Sequence, residues 1–588
     1  MSIKGKELLE FAQRRAEVWT QAPYDKATQD EALALLEEGG EALVEAFYTD
    51  LDFGTGGLRG LMGVGTNRMN AYTVAKATQG LANYVLGQEP TGSSIAIAYD
   101  SRNSSSAFAQ VVAEVMAGNG IEVHLFPELR PTPQLSFTVR EIGCTAGVVI
   151  TASHNPKEYN GFKVYWSDGG QIVPPRDQAI MEHIRAVSGP DEVQWGREPS
   201  AQALIHILND ECDEAYRRAV LDLRLSADLV AFGSDLSIVY TPLHGSGSVS
   251  VISALEAAGF RNIHVVESQR EPDGNFPTVH SPNPEEGAAL SEAIALAKQV
   301  DASLVLGTDP DSDRVGIAVP DVQSEGGWRL LNGNETGALL VDYVVTQRAL
   351  QQQLNFGDFV AKTIVTSDLI ADIGRHAGLD VQETLTGFKW IADTIRRKEG
   401  RGRFVVGGEE SYGYMIGDAV RDKDAVAAVC VLCELTHVVY AEGSDLLGRL
   451  ESIHRTHGAY KEVLVSQTKH GRAGRAEIAT QMEGFRTAPP SELAGDRVVE
   501  VRDYIAQFAT NLLDGSKRVL ELPSSNVIQL VTENDTLVTA RPSGTEPKIK
   551  FYFSVRMPVD KWPNGDYTRA MEALEDRINL LKKDMGVY

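Results

Sequence analysis

The chain has 588 residues, of which 43% are hydrophobic and 23% are charged, and its formal net charge is −26. A chain of this length exceeds a single hydrophobic core, so several domains are expected. The acidic balance argues against non-specific nucleic-acid binding, and no apolar run approaches the roughly 20 residues that span a bilayer.

The cysteines and the N-terminus predict a reduced, cytoplasmic setting. Cys430 and Cys433 have CxxC spacing, but AVAAVCVLCEL has helical apolar periodicity and no second ligand pair follows, so a buried helix face is the preferred interpretation. The start, MSIKGKELLEFAQRRAEVW, predicts an amphipathic helix and lacks the apolar block of a signal peptide.

One pattern of strands and helices repeats three times along the chain. The first section reads SIAIAYD (strand), SAFAQVVAEVMAGNG (helix), IEVHLF (strand), PTPQLSFTVREIG (helix) and AGVVIT (strand). The same order recurs in LSIVYT, VSVISALEAAG, NIHVVES, EGAALSEAIALAKQV and ASLVLGT, and again in FVAKTIVT, DLIADIGRHAG, DVQETLT, KWIADTIRRKEG and RFVVGG. Alternation of this kind predicts βαβ units on mainly parallel, mixed sheets.

The tail has a different pattern. It predicts four closely spaced strands, RVLELP, NVIQLVT, TLVTARP and KIKFYFSV. A helical pattern, TRAMEALEDRINLLKKD, follows them. The predicted fold class is therefore α/β, with three consecutive related α/β domains and a C-terminal α+β domain. The expected domain boundaries are 1–205, 206–322, 323–455 and 456–588, with candidate linkers near 186–201, 321–334 and 484–496.

Ligands bind beyond the carboxyl ends of the strands in open α/β sheets, and DPDSDR (309–314) follows such a strand. If the segment is extended, alternate side chains share one side, so Asp309, Asp311 and Asp313 converge. Three carboxylates this close need a cation, and hard oxygen ligands favour Mg²⁺. An EF-hand fails because Arg314 replaces its glycine and Pro320 its glutamate. A solvated Asp-rich turn is the alternative.

The segment TASHNPKEYNGFK (151–163) ends another predicted strand. It has no GxSxG elbow, which argues against an α/β-hydrolase serine. His154 adjoins Ser153, an awkward position for a base that must hydrogen-bond to the serine hydroxyl. Alone, Ser153 is equally consistent with a turn or helix cap. Facing metal-binding carboxylates, Ser153 is interpreted as a phosphate carrier, because a cation neutralises the charge of a departing seryl phosphate.

Two later motifs favour sugar and phosphate contacts. In GGEESYGY (407–414), the carboxylate of Glu409 and the hydroxyl of Ser411 suit two neighbouring sugar hydroxyls, and a surface turn is the alternative. In RPSGTEPK (541–548), a guanidinium, hydroxyls and a backbone amide can surround an anion, and a basic hairpin turn is the alternative. The residues of this anion site are Arg541, Ser543, Gly544 and Thr545.

Two further basic segments fit phosphate binding less specifically. FGTGGLRG (53–60) is a Gly-rich loop with Thr55 and Arg59, but it lacks the Gly-Lys-Ser/Thr of a P-loop and is not a nucleotide site. Lys389 in TGFKW is either another basic contact or a solvated helix residue.

Four segments of this chain resemble, in sequence order, the motifs of the α-D-phosphohexomutase superfamily, specifically its phosphoglucomutase members. The segments are TASHNPKEYNGFK, DPDSDR, GEES and RPSGTEPK. The resemblance spans most of the chain. It implies four domains around a central cleft, in agreement with the periodicity.

The resemblance also implies roles for the first two motifs. Ser153 would donate and regain a phosphoryl group, and its phosphate with Asp309, Asp311 and Asp313 would hold Mg²⁺. The remaining residues of this region are expected to steady the phosphoserine (Arg314) or to act as acid–base or electrostatic partners (His154 and Lys163, with Thr55 and Arg59 nearby).

For the later motifs, the resemblance implies substrate binding. Glu409 and Ser411 would bind the sugar O3 and O4 hydroxyls, with Lys389 in the same region. The segment from Arg541 through Ser543 and Gly544 to Thr545 would hold the phosphate that is not reacting.

The implied activity is the interconversion of glucose 1-phosphate and glucose 6-phosphate through bound glucose 1,6-bisphosphate, with small sugar phosphates as the partners. In relatives of dual glucose/mannose specificity, the sugar-binding segment resembles GEMSGH. This chain has EESYGY at 409–414, which favours glucose as the substrate. The forms of FGTGGLRG and TASHNPKEYNGFKVYW resemble a branch with phosphopentomutase-active members, so phosphopentomutase and phosphomannomutase activities remain alternatives. A metal-dependent phosphatase and a non-catalytic sugar-phosphate sensor are the rival classes, and the sequence does not indicate an oligomeric state.

Overall fold

The computed structural model describes residues 3–54, 57–230, 235–469, 471–544 and 548–587. The chain divides into two compact units that alternate along the sequence. The first unit consists of Met1–Leu331, Ile395–Arg397 and Ser411–His437, and the second of Asn332–Thr394, Lys398–Glu410 and Val438–Tyr588.

The first unit begins with three helices, α1 (Ile3–Val18), α2 (Lys26–Glu38) and α3 (Gly40–Phe47), which share a small core around Trp19, Leu43 and Phe47. The first α/β domain follows. Its elements are β1 (Phe53–Gly54), β2 (Gly57–Leu61), α4 (Ala71–Gln88), β3 (Ser94–Tyr99), α5 (Ser105–Gly118), β4 (Glu122–Leu125), α6 (Thr132–Glu141), β5 (Ala146–Ile150), β6 (Tyr159–Trp166), α7 (Arg176–Ala186), α8 (Pro199–Gln202) and β7 (Ile205–Ile207).

The first sheet is mixed, with strand order β1-β2-β6-β5-β3-β4-β7. Strands β5, β3, β4 and β7 are parallel, whereas β6 runs antiparallel to β5 with Val149 opposite Lys163. Every residue of β5 is buried, as expected for a strand covered on both faces. This register places Lys163 beside the strand that leads into Ser153.

The second α/β domain has a five-stranded sheet in the order β12-β11-β10-β8-β9. Strands β8, β9 and β10 are parallel, and β11 and β12 extend the sheet in antiparallel fashion. Its elements are α9 (Asp210–Leu221), α10 (Ala227–Val230), β8 (Ile238–Thr241), α11 (Gly247–Ala257), β9 (Ile263–Val265), α12 (Glu267–Arg270), α13 (Ser291–Gln299), β10 (Leu304–Thr308), β11 (Val315–Pro320) and β12 (Trp328–Leu331).

The third α/β segment begins with a helix, Gly333–Leu350, whose N-terminus has a capping box. The side chains of Asn332 and Glu335 each accept a hydrogen bond from the backbone amide of the other. Its strands β13, β14 and β15 are parallel. Its elements are α14 (Gly333–Leu350), β13 (Phe359–Thr363), α15 (Asp368–His376), β14 (Asp380–Thr384), α16 (Phe388–Lys398), β15 (Phe404–Glu409), β16 (Gly413–Ile416), α17 (Ala425–Ala441) and α18 (Leu446–His457).

The C-terminal domain is built on an antiparallel sheet in the order β17-β24-β23-β22-β19-β20-β21, with β18 paired to β19. Helix α20 packs its apolar stripe, which includes Leu574, Ile578 and Leu581, into the core of this domain. The elements are β17 (Ala459–Thr468), α19 (Gly471–Thr487), β18 (Glu492–Leu493), β19 (Asp496–Asp503), β20 (Phe508–Asn511), β21 (Lys517–Val519), β22 (Ile528–Thr532), β23 (Leu537–Pro542), β24 (Lys548–Met557) and α20 (Tyr567–Asp584).

The predicted fold class is confirmed: three α/β domains with mixed sheets precede a β-rich α+β domain. The predicted linker 321–334 contains the boundary between the two units at 331/332, and it also contains β12, which pairs with β11, and the start of α14. Within the described ranges, no single helix is long and apolar enough to cross a membrane, and α17 and α18 pass that test only as a bent pair.

Candidate active site

Ser153 lies in a tight turn just beyond β5. It is 3% exposed and has a left-handed backbone, with φ of 54°, while its amide donates to Thr151 Oγ1 at 2.8 Å. The Ser153 hydroxyl donates to Asp309 Oδ2 at 2.8 Å and lies 3.1 Å from His154 Nδ1. The expectation that a neighbouring histidine reaches the serine poorly is therefore wrong, because this backbone conformation lets the two side chains meet.

The three aspartates form a buried cluster at the end of β10. They are 0% (Asp309), 0% (Asp311) and 1% (Asp313) exposed, and one carboxylate oxygen from each lies within 4.8 Å of the others. Their predicted convergence is confirmed, but the segment is a turn and is not extended. Ser312 has φ of 52° and its amide donates to the Asp309 carbonyl at 2.9 Å.

Two lysines balance the charge of this cluster. Lys163 on β6 places its Nζ 2.7 Å from Asp311 Oδ2 and 3.2 Å from Asp313 Oδ2. Lys423, which follows β16, places its Nζ 3.0 Å from the same Asp313 oxygen. The site is thus a largely buried ionic network, where each charge depends on its partners.

Burial and neighbouring charge move the pKa values of these groups apart. Burial, reinforced by Asp311 and Asp313, raises the pKa of Asp309 well above its ordinary value. Burial disfavours the charged form of Asp313 too, but Lys423, Lys163 and Arg314 outweigh it and lower that pKa. For Lys163, the aspartates outweigh burial and raise the pKa.

The two predicted arginines contact residues around this network. Arg59 is half-buried on β2 and donates from Nη1 to Asn155 Oδ1 at 3.1 Å, next to the Ser153 turn. Arg314 donates its backbone amide to Asp309 Oδ1 at 3.0 Å and forms an ion pair with Glu285. Thr55, predicted beside Arg59, lies outside the described residues.

In the second unit, Glu409 is the last residue of β15 and accepts a hydrogen bond from the Gly387 amide at 2.8 Å. This contact brings Glu409 to the turn before α16, whose first turn carries Lys389; the Lys389 ammonium lies 5.6 Å from the centre of the Trp390 ring. Ser411 is half-buried in the turn after β15 and belongs to the first unit.

The predicted anion loop joins β23 to β24. Arg541 pairs with Lys550 across these strands, and the Ser543 amide donates to the Lys548 carbonyl at 2.7 Å. Gly544 is exposed, and Thr545 lies outside the described residues. Burial, together with the charge of Glu410, raises the pKa of Tyr552, and Arg541 opposes this rise.

Comparison with known proteins accounts for this combination of motifs. Family models described as phosphoglucomutase/phosphomannomutase α/β/α domains I, II and III match residues 50–190, 215–325 and 332–453. A phosphoglucomutase of Staphylococcus aureus (strain MRSA252) is 37% identical over 517 residues, covering 87% of this chain and 91% of that protein. The chain belongs to the phosphoglucomutase/phosphomannomutase family. The superfamily predicted from the motifs is thereby confirmed.

Other members of the phosphoglucomutase/phosphomannomutase family are similarly related. A phosphoglucomutase of Staphylococcus epidermidis (strain ATCC 35984) is 38% identical over 515 residues, covering 87% of this chain and 92% of that protein. The crystal structure of the Paramecium phosphoglucomutase parafusin, in its open form, aligns with a TM-score of 0.65 at 16% identity over 91% of this chain and 96% of that one. The structural likeness shows a shared fold.

The aspartate cluster fits a divalent metal ion, as expected in this family. Asp311 Oδ1 and Asp313 Oδ1 are buried and accept no hydrogen bond from the described part of the chain. Buried carboxylate oxygens without donors are costly, and a hard cation is the ligand that such oxygens prefer.

Sequence reasoning missed several of the described residues that contact the candidate motifs. Arg102 and Asp100 contact the Ser153 turn, Lys423 contacts Asp313, and in the second unit the half-buried Glu410 accepts hydrogen bonds from the hydroxyls of Thr363 and Thr366. Asp100 and Arg102 follow β3, so the rule of strand carboxyl ends identifies them. Lys423 gives no local signal, because its contact with Asp313 joins distant parts of the chain.

Proposed function

We propose that this chain is a phosphoglucomutase that interconverts glucose 1-phosphate and glucose 6-phosphate through a phosphorylated Ser153. One observation carries the proposal: the Ser153 hydroxyl lies 2.8 Å from a carboxylate of a buried three-aspartate cluster. A serine in that place needs no histidine–aspartate relay to carry phosphate. It needs a cation beside it, and the cluster provides the ligands for one.

The metal in this proposal is Mg²⁺, held by Asp309, Asp311 and Asp313 together with an oxygen of the Ser153 phosphate. Carboxylates and a phosphate are its usual ligands. When bound, Mg²⁺ neutralises charge on the phosphoryl group as it is transferred.

The reaction balances as two transfers. In the first, the bond from phosphorus to Ser153 Oγ breaks and a bond to O6 of glucose 1-phosphate forms, which gives bound glucose 1,6-bisphosphate and a free serine hydroxyl. In the second, the phosphoryl group on O1 returns to Ser153 Oγ and glucose 6-phosphate leaves. Each transfer releases one hydroxyl proton and restores one.

His154 and Lys163 are the proposed proton and charge partners of these transfers. His154 Nδ1 is 3.1 Å from Ser153 Oγ and is positioned to return a proton to the serine as phosphate leaves. Lys163 and Arg59 supply positive charge close to the transferring group.

We propose that the later motifs supply sugar and phosphate recognition. Glu409, with Ser411 and Lys389, binds the sugar hydroxyls, and Arg541, Ser543, Gly544 and Thr545 bind the phosphate that is not transferring. The glucose preference is supported by the names of the Staphylococcus relatives, which are phosphoglucomutases.

Ser153→Ala tests the proposal in an assay that couples glucose 6-phosphate formation from glucose 1-phosphate to a dehydrogenase. The expected loss is roughly 10³-fold or more in kcat, because the transferring group has lost its acceptor. Ser237→Ala, a second nearly buried serine, is the control and retains parental activity. Parental kcat in Ser153→Ala would refute the phosphoserine.

The same preparations separate the alternatives. A phosphatase releases inorganic phosphate steadily and does not respond to added glucose 1,6-bisphosphate, whereas the proposed mutase is activated by it. Parallel assays on mannose and ribose 1-phosphates measure the preference for glucose, and a higher kcat/KM on either would move the assignment to phosphomannomutase or phosphopentomutase.

A further inference from the structure

A single buried guanidinium holds the backbone of the serine loop. Arg102 is 3% exposed and donates from Nη2 to the carbonyl oxygens of Ser153, at 2.5 Å, and Asn155. From Nη1 it donates to those of Pro156 at 2.8 Å and Tyr159 at 3.0 Å. One side chain thus donates hydrogen bonds to four carbonyl oxygens of one loop. Only the planar, forked guanidinium of arginine can do this.

Asp100 fixes both Arg102 and the amide side of the serine. Its Oδ2 lies 3.2 Å from Arg102 Nε and accepts the Thr151 hydroxyl at 2.6 Å, and Thr151 Oγ1 in turn accepts the Ser153 amide. The peptide groups before and after Ser153 are therefore anchored to one buried ion pair.

A loop of the second α/β domain closes over this arrangement. The Phe276 ring lies 5.1 Å from the Arg102 guanidinium carbon, and Ser281 Oγ donates to the His154 carbonyl at 3.1 Å. The loop that contacts Arg102 thus belongs to the same domain as the aspartate cluster that Ser153 faces.

We propose that Arg102 is a positioning residue for phosphoryl transfer, which holds the Ser153 loop in the conformation that aims its hydroxyl at the aspartate cluster. The inference rests on the proposed function and extends it to a residue that does not touch the substrate. A left-handed backbone at a residue other than glycine persists only where its surroundings impose it, and the hydrogen bonds of Arg102 and Thr151 impose it here.

The competing interpretation is that Arg102 and Asp100 are simply a stabilising ion pair of the first domain. Arg102→Lys distinguishes the two, because lysine keeps the charge next to Asp100 but cannot reach four carbonyls. Arg130→Lys is the matched control. Arg130 is also buried in this domain, and it forms a two-pronged pair with Asp213 at 2.8 Å without contacting the serine loop in any described hydrogen bond.

Three quantities are measured on the full chain: kcat and KM for glucose 1-phosphate, single-turnover transfer of labelled phosphate from glucose 1,6-bisphosphate to Ser153, and amide hydrogen exchange. For Arg102→Lys we expect kcat and the transfer rate to fall about 100-fold with KM changed less than about threefold, because displacement of a reacting group by about 1 Å has that effect. Exchange should accelerate in 151–161 alone. Arg130→Lys should leave the transfer rate and the exchange of 151–161 unchanged.

The outcomes are distinct. Parental transfer rates in Arg102→Lys, with an active parent, would overturn the positioning role and leave the phosphoserine intact. Acceleration of exchange throughout the first domain, or an equal effect of Arg130→Lys, would mean a purely structural pair and would also overturn it. If the parent itself fails to accept phosphate on Ser153, the proposed function fails, while local exchange in 151–161 still reports whether Arg102 holds the loop.

Discussion

Replacement of Lys163 by methionine should destabilise the metal-free protein strongly. Lys163 is 4% exposed, and its ammonium pairs with Asp311 and Asp313 at 2.7 and 3.2 Å. Removal of one partner of a buried ion pair costs about 3 to 5 kcal/mol, because the remaining charge stays buried without compensation. Since Lys423 still neutralises Asp313, we expect the lower end, about 3 kcal/mol.

Thermal unfolding in a chelating buffer measures this effect. A cooperative unit of 150 to 250 residues loses roughly 2 to 4 °C in Tm per kcal/mol, so a decrease of about 6 to 12 °C is expected for the first domain. Lys26→Met, which removes an exposed pair with Asp30, is the control and should shift Tm by no more than about 2 °C. Saturating Mg²⁺ should reduce the difference in Tm between Lys163→Met and the parent, because a divalent cation supplies the missing positive charge. Equal Tm values for the two variants in the chelating buffer would show that Lys163 does not balance the cluster.

Three further changes address the metal, the pH response and the sugar. Asp311→Asn should weaken Mg²⁺ binding at least tenfold by calorimetry, and unchanged affinity would remove Asp311 from the metal site. Burial, with repulsion from Asp368 and Glu335, raises the pKa of Glu462 from 4.5 to about 7. The unfolded chain releases this proton first, so stability of the second unit should fall as pH rises from about 4.5 to about 7. Glu462→Gln should flatten that slope in thermal melts, and a persistent slope would assign it to other groups. Glu409→Ala should change the ratio of rates on glucose and mannose 1-phosphates about tenfold with Mg²⁺ binding kept, and a constant ratio would argue against sugar contact.

Much of the fold was predictable because buried parallel strands are continuous apolar runs. β5 and β10 stand out for this reason, and the polar segments that follow them contain Ser153 and Asp309. The antiparallel strand β6 was not predicted, since its residues belong to a motif that begins with turn residues. Its pairing with β5 is what brings Lys163 to the aspartates.

The chemistry of the site was easier to predict than its geometry. The convergence of the aspartates was expected from an extended segment, whereas a turn at Ser312 produces it. The contact of His154 with Ser153 likewise depends on the positive φ of Ser153, which cannot be predicted from the residue type. Lys423 was not predictable, because tertiary folding alone brings it to Asp313.

The alternation of the two units along the chain has a consequence for biosynthesis. The first unit includes Ser411–His437, whose Asp422 and Asp424 accept hydrogen bonds from Tyr165 and Tyr216. After residue 331 has been synthesised, translation must therefore continue to residue 437 before this unit is complete. At ordinary elongation rates this takes roughly 5 to 20 s. During that interval two buried tyrosine hydroxyls lack their acceptors, and a truncated gene product ending near 331 would remain in this incomplete state permanently.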